Sequence, residues 1–353
     1  MLYVNDWEQI KQKFAEYWTG ENHDRPLLSV CAPKEGYIPK EVKAPEKIID
    51  RWMDVEYIIK STREKFSSIY YGGEAFPNFN PNLGPDILGA ILGDKIEFGE
   101  NTSWSIHTFK DLENVDKFIF NPENFWWKKI REITEEAVKD AKGDYFVSIT
   151  DLHPGADALV SLRGPENLCL DLVDCPQAVK KATVEILDVF KKVTDELYKI
   201  TLKNLDGSSN WMSVWHPGKW YVTSSDFICL ISNDMFSEFI EPELVEEIEW
   251  LDASIFHLDG PGALKHLDSL LAIPKLKGIQ WVYGAGQPTA SHWIPVLKKI
   301  QDAGKLVQVL IEPWELDILL KELRPEGIMY TTWCESEQDA KDLLKKARNF
   351  YSY

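Results

Sequence analysis

The chain has 353 residues, of which 44% are hydrophobic and 27% charged, a composition typical of a globular protein with a sizeable core. Its formal net charge is −18 with no compensating Lys/Arg block, so we expect it to bind neither nucleic acid nor an anionic membrane surface. It contains no run of 18 apolar residues, no signal-peptide core and no CxxC pair among its five cysteines. We therefore expect a cytoplasmic protein with reduced thiols.

From about Arg25 onward, short apolar and β-branched runs alternate with longer stretches of helical period, a pattern typical of βαβ units. Residues 1–24 are predicted to form a helical arm without a core of its own. The predicted strands cover residues 27–31, 69–75, 145–150, 211–215, 254–258, 278–283, 306–311 and 327–332. Eight strands are the number in a (β/α)8 TIM barrel, so we predict one α/β barrel domain over residues 1–353.

Terminal signals mark several of the predicted helices. Pro176 suits the first turn of a helix over 177–202, and Ser232 precedes one over 235–251. Gly304 ends a helix over 296–303, and Ser336 caps a last one over 337–350. Residues 72–94 are rich in Pro, Gly and Asn, which predicts a lid or a disordered loop.

Polar and aromatic residues follow the predicted strands, where a barrel of this kind has its active site. In chain order these residues are Asp151, His153, Trp215, His216, His257, Asp259, Tyr283, Glu312, Trp314, Trp333 and Cys334. The 14 tryptophans, which include Trp281, either pack in the core or stack on a sugar ring, a methoxylated arene or a cationic methyl group.

His257 and Asp259 are the strongest local candidates for a metal site. Residues two apart in a strand point to the same face, so these two side chains can converge on one atom. Together with Glu312 and Cys334 they offer ligand types suited to zinc. The alternative is that His257 ends the strand and Asp259 caps the following helix.

Asp151 and His153 have the same two-residue spacing, and a carboxylate beside an imidazole suits general acid/base catalysis. The alternative is a helix cap and a surface histidine. His216 is either a core histidine or a substrate contact, and Asp226 is either a cap or a catalytic carboxylate. No GxSxG, GxGxxG or P-loop motif supports a hydrolase triad or a nucleotide site.

Four segments resemble the uroporphyrinogen decarboxylase superfamily, and most closely its branch of corrinoid (cobamide) and coenzyme M methyltransferases. They are residues 162–179 (LRGPENLCLDLVDCPQAV), 224–242 (SSDFICLISNDMFSEFIEP), 256–271 (FHLDGPGALKHLDSLL) and 304–311 (GKLVQVLI). The resemblance extends over most of the chain from about Arg25. It implies a TIM barrel with its active site at the C-terminal ends of the strands.

The sequence departs from the family at two places. The stretch RPLLSVCAPK lacks the arginine that holds tetrapyrrole carboxylates in the decarboxylases, although Asp86 resembles their Asp-Ile-Leu element. The methyltransferases bind zinc through His-x-Cys after the fifth strand and a cysteine after the eighth. His257 and Cys334 match two of these positions, and Asp259 replaces the first cysteine.

Three functions follow from these observations. The first is zinc-dependent methyl transfer from a small methylated substrate, with a thiol or corrinoid acceptor and a corrinoid protein as partner. The second is a metal-independent acid/base lyase or decarboxylase that acts on a small non-tetrapyrrole substrate through Asp151, His153 and His257. The third is a non-catalytic sugar-binding barrel. We assign substrate binding to Asp86, Trp215, Tyr283, Trp314 and Trp333.

Overall fold

A computed structural model describes residues 1–351 of the chain, and parallel β-structure lies at its centre. The strands in the described residues are β1 (Leu27–Pro33), β2 (Ile69–Gly73), β3 (Asn78–Phe79), β4 (Ile96–Phe98), β5 (Ser103–Ser105), β6 (Phe146–Val147), β7 (Trp220–Ser224), β8 (Ala253–Asp259), β9 (Gly278–Val282), β10 (Leu306–Leu310) and β11 (Ile328–Trp333).

Seven strands form the main sheet in the order β2-β1-β11-β10-β9-β8-β7. All neighbours in it are parallel except β2, which is antiparallel to β1. β3 and β6 form a separate parallel pair, and β4 and β5 a small antiparallel pair. The predicted α/β class is therefore confirmed, while the backbone ladder of the main sheet does not run through β3 and β6.

Helices follow most of the strands. They are α1 (Trp7–Thr19), α2 (Ile48–Met53), α3 (Val55–Ser67), α4 (Ile87–Leu92), α5 (Phe125–Ala141), α6 (Gly155–Arg163), α7 (Pro165–Asp174), α8 (Pro176–Thr201), α9 (Asn233–Met235), α10 (Glu241–Trp250), α11 (Leu267–Ala272), α12 (Ile294–Asp302), α13 (Leu316–Glu322) and α14 (Glu337–Phe350). A π-helical turn, Phe236–Ile240, joins α9 to α10. Within residues 1–351, no helix is long and apolar enough to cross a membrane.

The two faces of the sheet pack into two different cores. In β8, Ala253 and Ile255 belong to a core shared with α1, whereas Phe256 and Leu258 belong to the larger core beneath the other helices. This alternation is the two-residue period of a strand buried on both faces. We call the first the inner face. His257 and Asp259 continue the inner-face series of Ala253 and Ile255.

Helix α1 covers one edge of the sheet. Asp6 begins the helix by accepting a hydrogen bond from the backbone N–H of Gln9. Its apolar side packs on Leu27 and Ile255, which lie near the N-terminal ends of β1 and β8. The Tyr17 hydroxyl donates to the carbonyl of Val307 at 3.2 Å. The N-terminal edge of the strands is therefore closed by apolar packing, and the opposite edge is the one available for a site.

Seven of the eight predicted strands coincide in position with observed strands, but the fourth was predicted wrongly. Residues 211–215 form no strand, and β7 begins instead at Trp220. Ser213 has a positive φ of 55°, which interrupts an extended strand. The apolar run that indicated a strand arises because Met212 and Val214 pack in the core shared with α1.

The predicted helix signals are confirmed in this part of the chain. Ser232 and Ser336 each accept a hydrogen bond from the backbone three residues later, and Gly304 lies directly after Ala303 with φ of 72°. Residues 72–94, however, are not a disordered loop. They contain β3 and α4, and Leu88 and its neighbours in α4 are buried.

Candidate functional site

Three ionisable side chains converge at the C-terminal ends of β7 and β8. His257 and Asp259 lie on the inner face at the end of β8, and Asp226 follows β7, whose last residue Ser224 pairs with His257. One ligand atom from each of Asp226, His257 and Asp259 lies within 4.8 Å of the other two. Among residues 1–351, this is the single group of three or more such side chains placed to hold a metal ion.

The orientation of His257 is fixed by two neighbours. Its Nδ1 lies 2.5 Å from Oε1 of Gln280, the residue beside it on β9. Because an amide oxygen only accepts, Nδ1 is the donor in this contact, and in the neutral ring the lone pair is then on Nε2. The ring also meets Trp211 edge-on, with centroids 5.2 Å apart. A histidine held through one nitrogen and open at the other is how proteins present an imidazole to a metal.

His153 lies beside this group in a network of hydrogen bonds. Its Nε2 is 2.9 Å from a carboxylate oxygen of Asp151, and its Nδ1 is 3.0 Å from Oγ of Ser224. Asp157 also reaches Nδ1, at 3.5 Å. Burial alone would lower the pKa of His153, but the two carboxylates raise it well above the ordinary value. The two carboxylates therefore favour the imidazolium form of His153.

Asp157 connects the histidine network to Asp226. Its carboxylate accepts hydrogen bonds from the backbone N–H groups of Asp226, at 3.0 Å, and Phe227, at 3.1 Å. It thus holds the short 3-10 helix Asp226–Leu230 in place. Removal from water and the nearby Asp157 carboxylate raise the pKa of Asp226. One acidic residue therefore positions both His153 and the Asp226 turn.

A cavity of about 280 Å³ opens on this network. Its walls include Asp86, His153, Asp157 and Asp226, together with Phe227. Asp86 is fixed there because its carboxylate accepts a hydrogen bond from the backbone N–H of Ser105 at 3.0 Å. Three residues selected from the sequence, Asp86, His153 and Asp226, thus share one cavity of small-molecule size.

The other predicted metal ligands lie elsewhere. Glu312 and Cys334 line a second cavity of about 560 Å³, with Trp314 and Trp333. Trp333 is 53% exposed at the end of β11, whereas Cys334 is 1% exposed and packs in the core beneath the helices. Adjacent residues of an extended chain face opposite sides. The described residues therefore do not bring Glu312 and Cys334 into the group of His257 and Asp259.

Trp215 and His216 lie at the opposite edge from the one predicted for them, because they precede β7 and do not follow a strand. Trp215 meets Trp7 of α1 with ring centroids 6.2 Å apart. His216 packs edge-on against Trp18 at 4.9 Å, and its Nδ1 accepts a hydrogen bond from the backbone N–H of Gly218. Burial lowers the pKa of His216. Its surroundings favour a neutral, half-buried histidine that packs against α1.

No family model and no curated protein matches the chain by sequence. Among solved structures, it is similar to a methyltransferase from Methanosarcina mazei, with a TM-score of 0.63 and 13% sequence identity over 98% of this chain and 99% of that chain. The two proteins share one fold. The resemblance inferred from the sequence segments is thereby supported at the level of the fold.

Several residues that build the site were not selected from the sequence. They are Asp157, Ser224 and Gln280, with Trp211 against the histidine ring. Gln280 carried a usable signal, because a polar residue in the otherwise apolar strand GIQWV needs a hydrogen-bond partner. Asp157 and Ser224 carried no comparable signal in the sequence. Their common partner, His153, precedes α6, the helix that contains Asp157, and it lies far from Ser224 along the chain.

Proposed function

We propose that the chain is a metal-dependent methyltransferase whose site lies between β7, β8 and the loop that precedes α6. The observation that carries this proposal is the convergence of Asp226, His257 and Asp259 in the fold of a methyltransferase. The charged His153 beside them supplies acid/base capacity. The cavity of about 280 Å³ fits a small methylated substrate.

The donor set supports a divalent cation, and we propose zinc. One imidazole nitrogen and two carboxylate oxygens suit zinc, and the Gln280 contact of His257 supplies the outer hydrogen bond that ligating histidines have. In this proposal Asp226 takes the third position that the sequence assigned to Cys334. When bound, such a metal lowers the pKa of a thiol or water and makes it a nucleophile at neutral pH.

His153 has a separate role in this proposal. It holds a proton on Nε2 against Asp151 and another on Nδ1 toward Asp157 and Ser224. A substrate in the cavity would meet a cationic donor able to give a proton to a leaving group. Tyr283, Trp314 and Trp333 are proposed to contact the substrate or its carrier. A thiol or corrinoid acceptor, with a corrinoid protein as partner, completes the proposed reaction.

We also propose that the strands close into a (β/α)8 barrel and that residues 1–353 form one domain. The eight barrel strands would be β1, β3, β6 and β7 to β11. In this set β3 takes the second position, which the sequence assigned to residues 69–75, because the strand found there, β2, is antiparallel to β1. Two hydrogen bonds connect the β3–β6 pair to the main sheet on the β7 side. The Ile149 N–H donates to the Ser209 carbonyl at 3.1 Å. The Tyr221 hydroxyl donates to the Thr150 carbonyl at 2.9 Å. These bonds bridge the place where the ladder is interrupted.

A second candidate function is a metal-independent acid/base lyase or decarboxylase. The observation that favours it is the contact of His153 with two carboxylates, which needs no metal to work as an acid/base group. Here Asp151, His153 and His257 would share the proton transfers, and the substrate would be a small molecule.

Protein purified without a histidine tag tests both candidates. We expect about one equivalent of zinc per chain by elemental analysis, and methyl transfer from a small methylated donor to a small thiol or a reduced corrinoid that a chelator stops and added zinc restores. Replacing His153 with Ala should lower the rate by about 10²–10⁴-fold. A chelator without effect on turnover, together with loss of turnover in Asp151→Asn, would instead support the lyase.

A further inference from the structure

Two carboxyl groups are buried one helical turn apart on α10. Glu243 and Glu247 are spaced by four residues, so their side chains are neighbours on one side of the helix. Glu243 is 9% exposed and Glu247 is 1% exposed. Within the described part of the chain, Oε1 of each has no hydrogen-bond partner. Buried polar atoms normally have partners, so this pair requires an explanation.

The pair lies directly behind the His153 network. The Glu243 carboxylate packs against Gly155, where an added Cβ would stand 2.5 Å from Oε2. Gly155 has φ of 61°, so both its conformation and its contact with Glu243 favour glycine. It is the first residue of α6, two positions after His153 and two before Asp157. A change in the Glu243 carboxylate therefore acts on the turn that holds both residues.

The charges that face the pair come from four segments and leave it without a dedicated counter-ion. Helix α6 contributes Asp157, α8 contributes Lys191, α10 itself contributes Glu246, and the loop before α6 contributes His153. The Lys191 ammonium is paired with Glu246 at 2.6 Å. His153 is already in contact with Asp151 and Asp157.

Burial is the main reason why both carboxyls hold protons unusually strongly. It raises the pKa of Glu243 to about 8, with a further contribution from Asp157. It also raises the pKa of Glu247 well above the ordinary value, and Glu243 adds to that rise. A carboxyl that keeps its proton in the folded state contributes stability that is lost as pH rises from the unfolded pKa through the folded one. For Glu243 this window extends from about pH 4.5 to about pH 8.

We propose that Glu243 and Glu247 together keep at least one proton at neutral pH and form a proton-dependent support that positions His153 and Asp157. Loss of that proton in mildly alkaline solution leaves two carboxylates repelling each other and Asp157, which displaces the Gly155 turn. The pair positions the site and does not touch the substrate. Its effect on turnover rests on the proposed function, but its titration does not.

Carbon-13 NMR of protein labelled at the glutamate carboxyl carbons tests the pair directly in the wild-type chain. We expect at least one carboxyl that titrates near pH 8 or above and is absent from Glu243→Gln. In that variant the pKa of Glu247 should be lower by about one unit, because coupled carboxyls titrate as a pair. Glu249→Gln is the matched control: it removes an exposed carboxyl of the same helix and should change neither titration.

Two further readouts separate this inference from the proposed methyl transfer. Imidazole nitrogen-15 signals should show the His153 titration moved in Glu247→Gln and unmoved in Glu249→Gln. If turnover is found, its alkaline decline should move to higher pH in the Glu243→Gln, Glu247→Gln double variant, since amides mimic protonated carboxyls. Wild-type titration of both carboxyls near pH 4.5 would overturn the proposal even if methyl transfer is found, and the expected titrations would support it even if none is.

Discussion

The two sides of the C-terminal strand edge differ in how their polar side chains are held. On the β7–β8 side, His153, Asp226 and His257 are each fixed by a neighbour, and three ligand atoms converge. On the β10–β11 side, Trp314 and Trp333 are 61% and 53% exposed. There Cys334 turns into the core. One side gathers fixed polar side chains at one point, and the other offers an open surface.

The difference has two causes. One is the face of the sheet on which a residue lies, which alternates from each residue to the next along a strand, and the other is the strand that the residue follows. His257 and Asp259 are two residues apart and share a face, whereas Trp333 and Cys334 are adjacent and do not. Asp226 reaches the same place from the next strand because Ser224 pairs with His257. Residues from neighbouring strands meet at one point when they lie on the same face of the sheet and at the same level along the paired strands.

The largest expected effect comes from removing a ligand on the β7–β8 side. His257→Ala and Asp259→Ala each remove a proposed ligand atom. Each should therefore weaken zinc binding by more than the roughly 10–100-fold that is typical when a residue hydrogen-bonded to a ligand is removed. Isothermal titration with zinc measures this. Cys334→Ser and Glu312→Gln are the matched variants of the β10–β11 side and should bind zinc like the wild type. Zinc lost in Cys334→Ser but kept in Asp259→Ala would show that the metal lies on the other side.

A smaller effect is expected from the glutamine that orients His257. Gln280→Leu removes the acceptor of the Nδ1 proton and should lower zinc affinity about 10–100-fold without unfolding the protein. Gln308 gives a close control, because it pairs with Gln280 in register on β10 and donates to Thr331 at 2.9 Å. Gln308→Leu should leave zinc affinity unchanged. Equal losses in both variants would point to general damage of the sheet.

Much of the fold could be predicted from the sequence, because apolar runs and helix caps are local signals. Ser336 and Gly304 marked helix ends correctly for that reason. The fourth strand was predicted at the wrong residues because the apolar side chains of residues 211–215 pack against α1, which is remote in sequence. That single error moved Trp215 and His216 to the wrong edge.

The site was predictable only in part, for a related reason. The spacing of His257 and Asp259 determines that they share a face, so they could be selected without a structure. Asp226 could be selected as a carboxylate after a strand, but its convergence with His257 depends on the β7–β8 register. Cys334 was chosen because it follows the last predicted strand, at a position that also resembles that of a zinc ligand in the methyltransferases. Neither reason carries information about which way its side chain turns in this chain.

The smallest expected effect concerns the open surface of the β10–β11 side. Trp333→Ala removes an exposed ring at the rim of the larger cavity and should change the free energy of unfolding by less than about 0.5 kcal/mol, as exposed substitutions usually do. If the ring stacks on the substrate or its carrier, the loss of about 1 kcal/mol of contact should raise KM about fivefold and leave kcat unchanged. Phe125→Ala, which removes another exposed aromatic side chain at the start of α5, should leave both constants unchanged. A fall in kcat of Trp333→Ala would contradict this separation of the two sides. A ring that only binds substrate before the chemical step cannot slow that step, so the ring would then have to act in the same centre as the β7–β8 side.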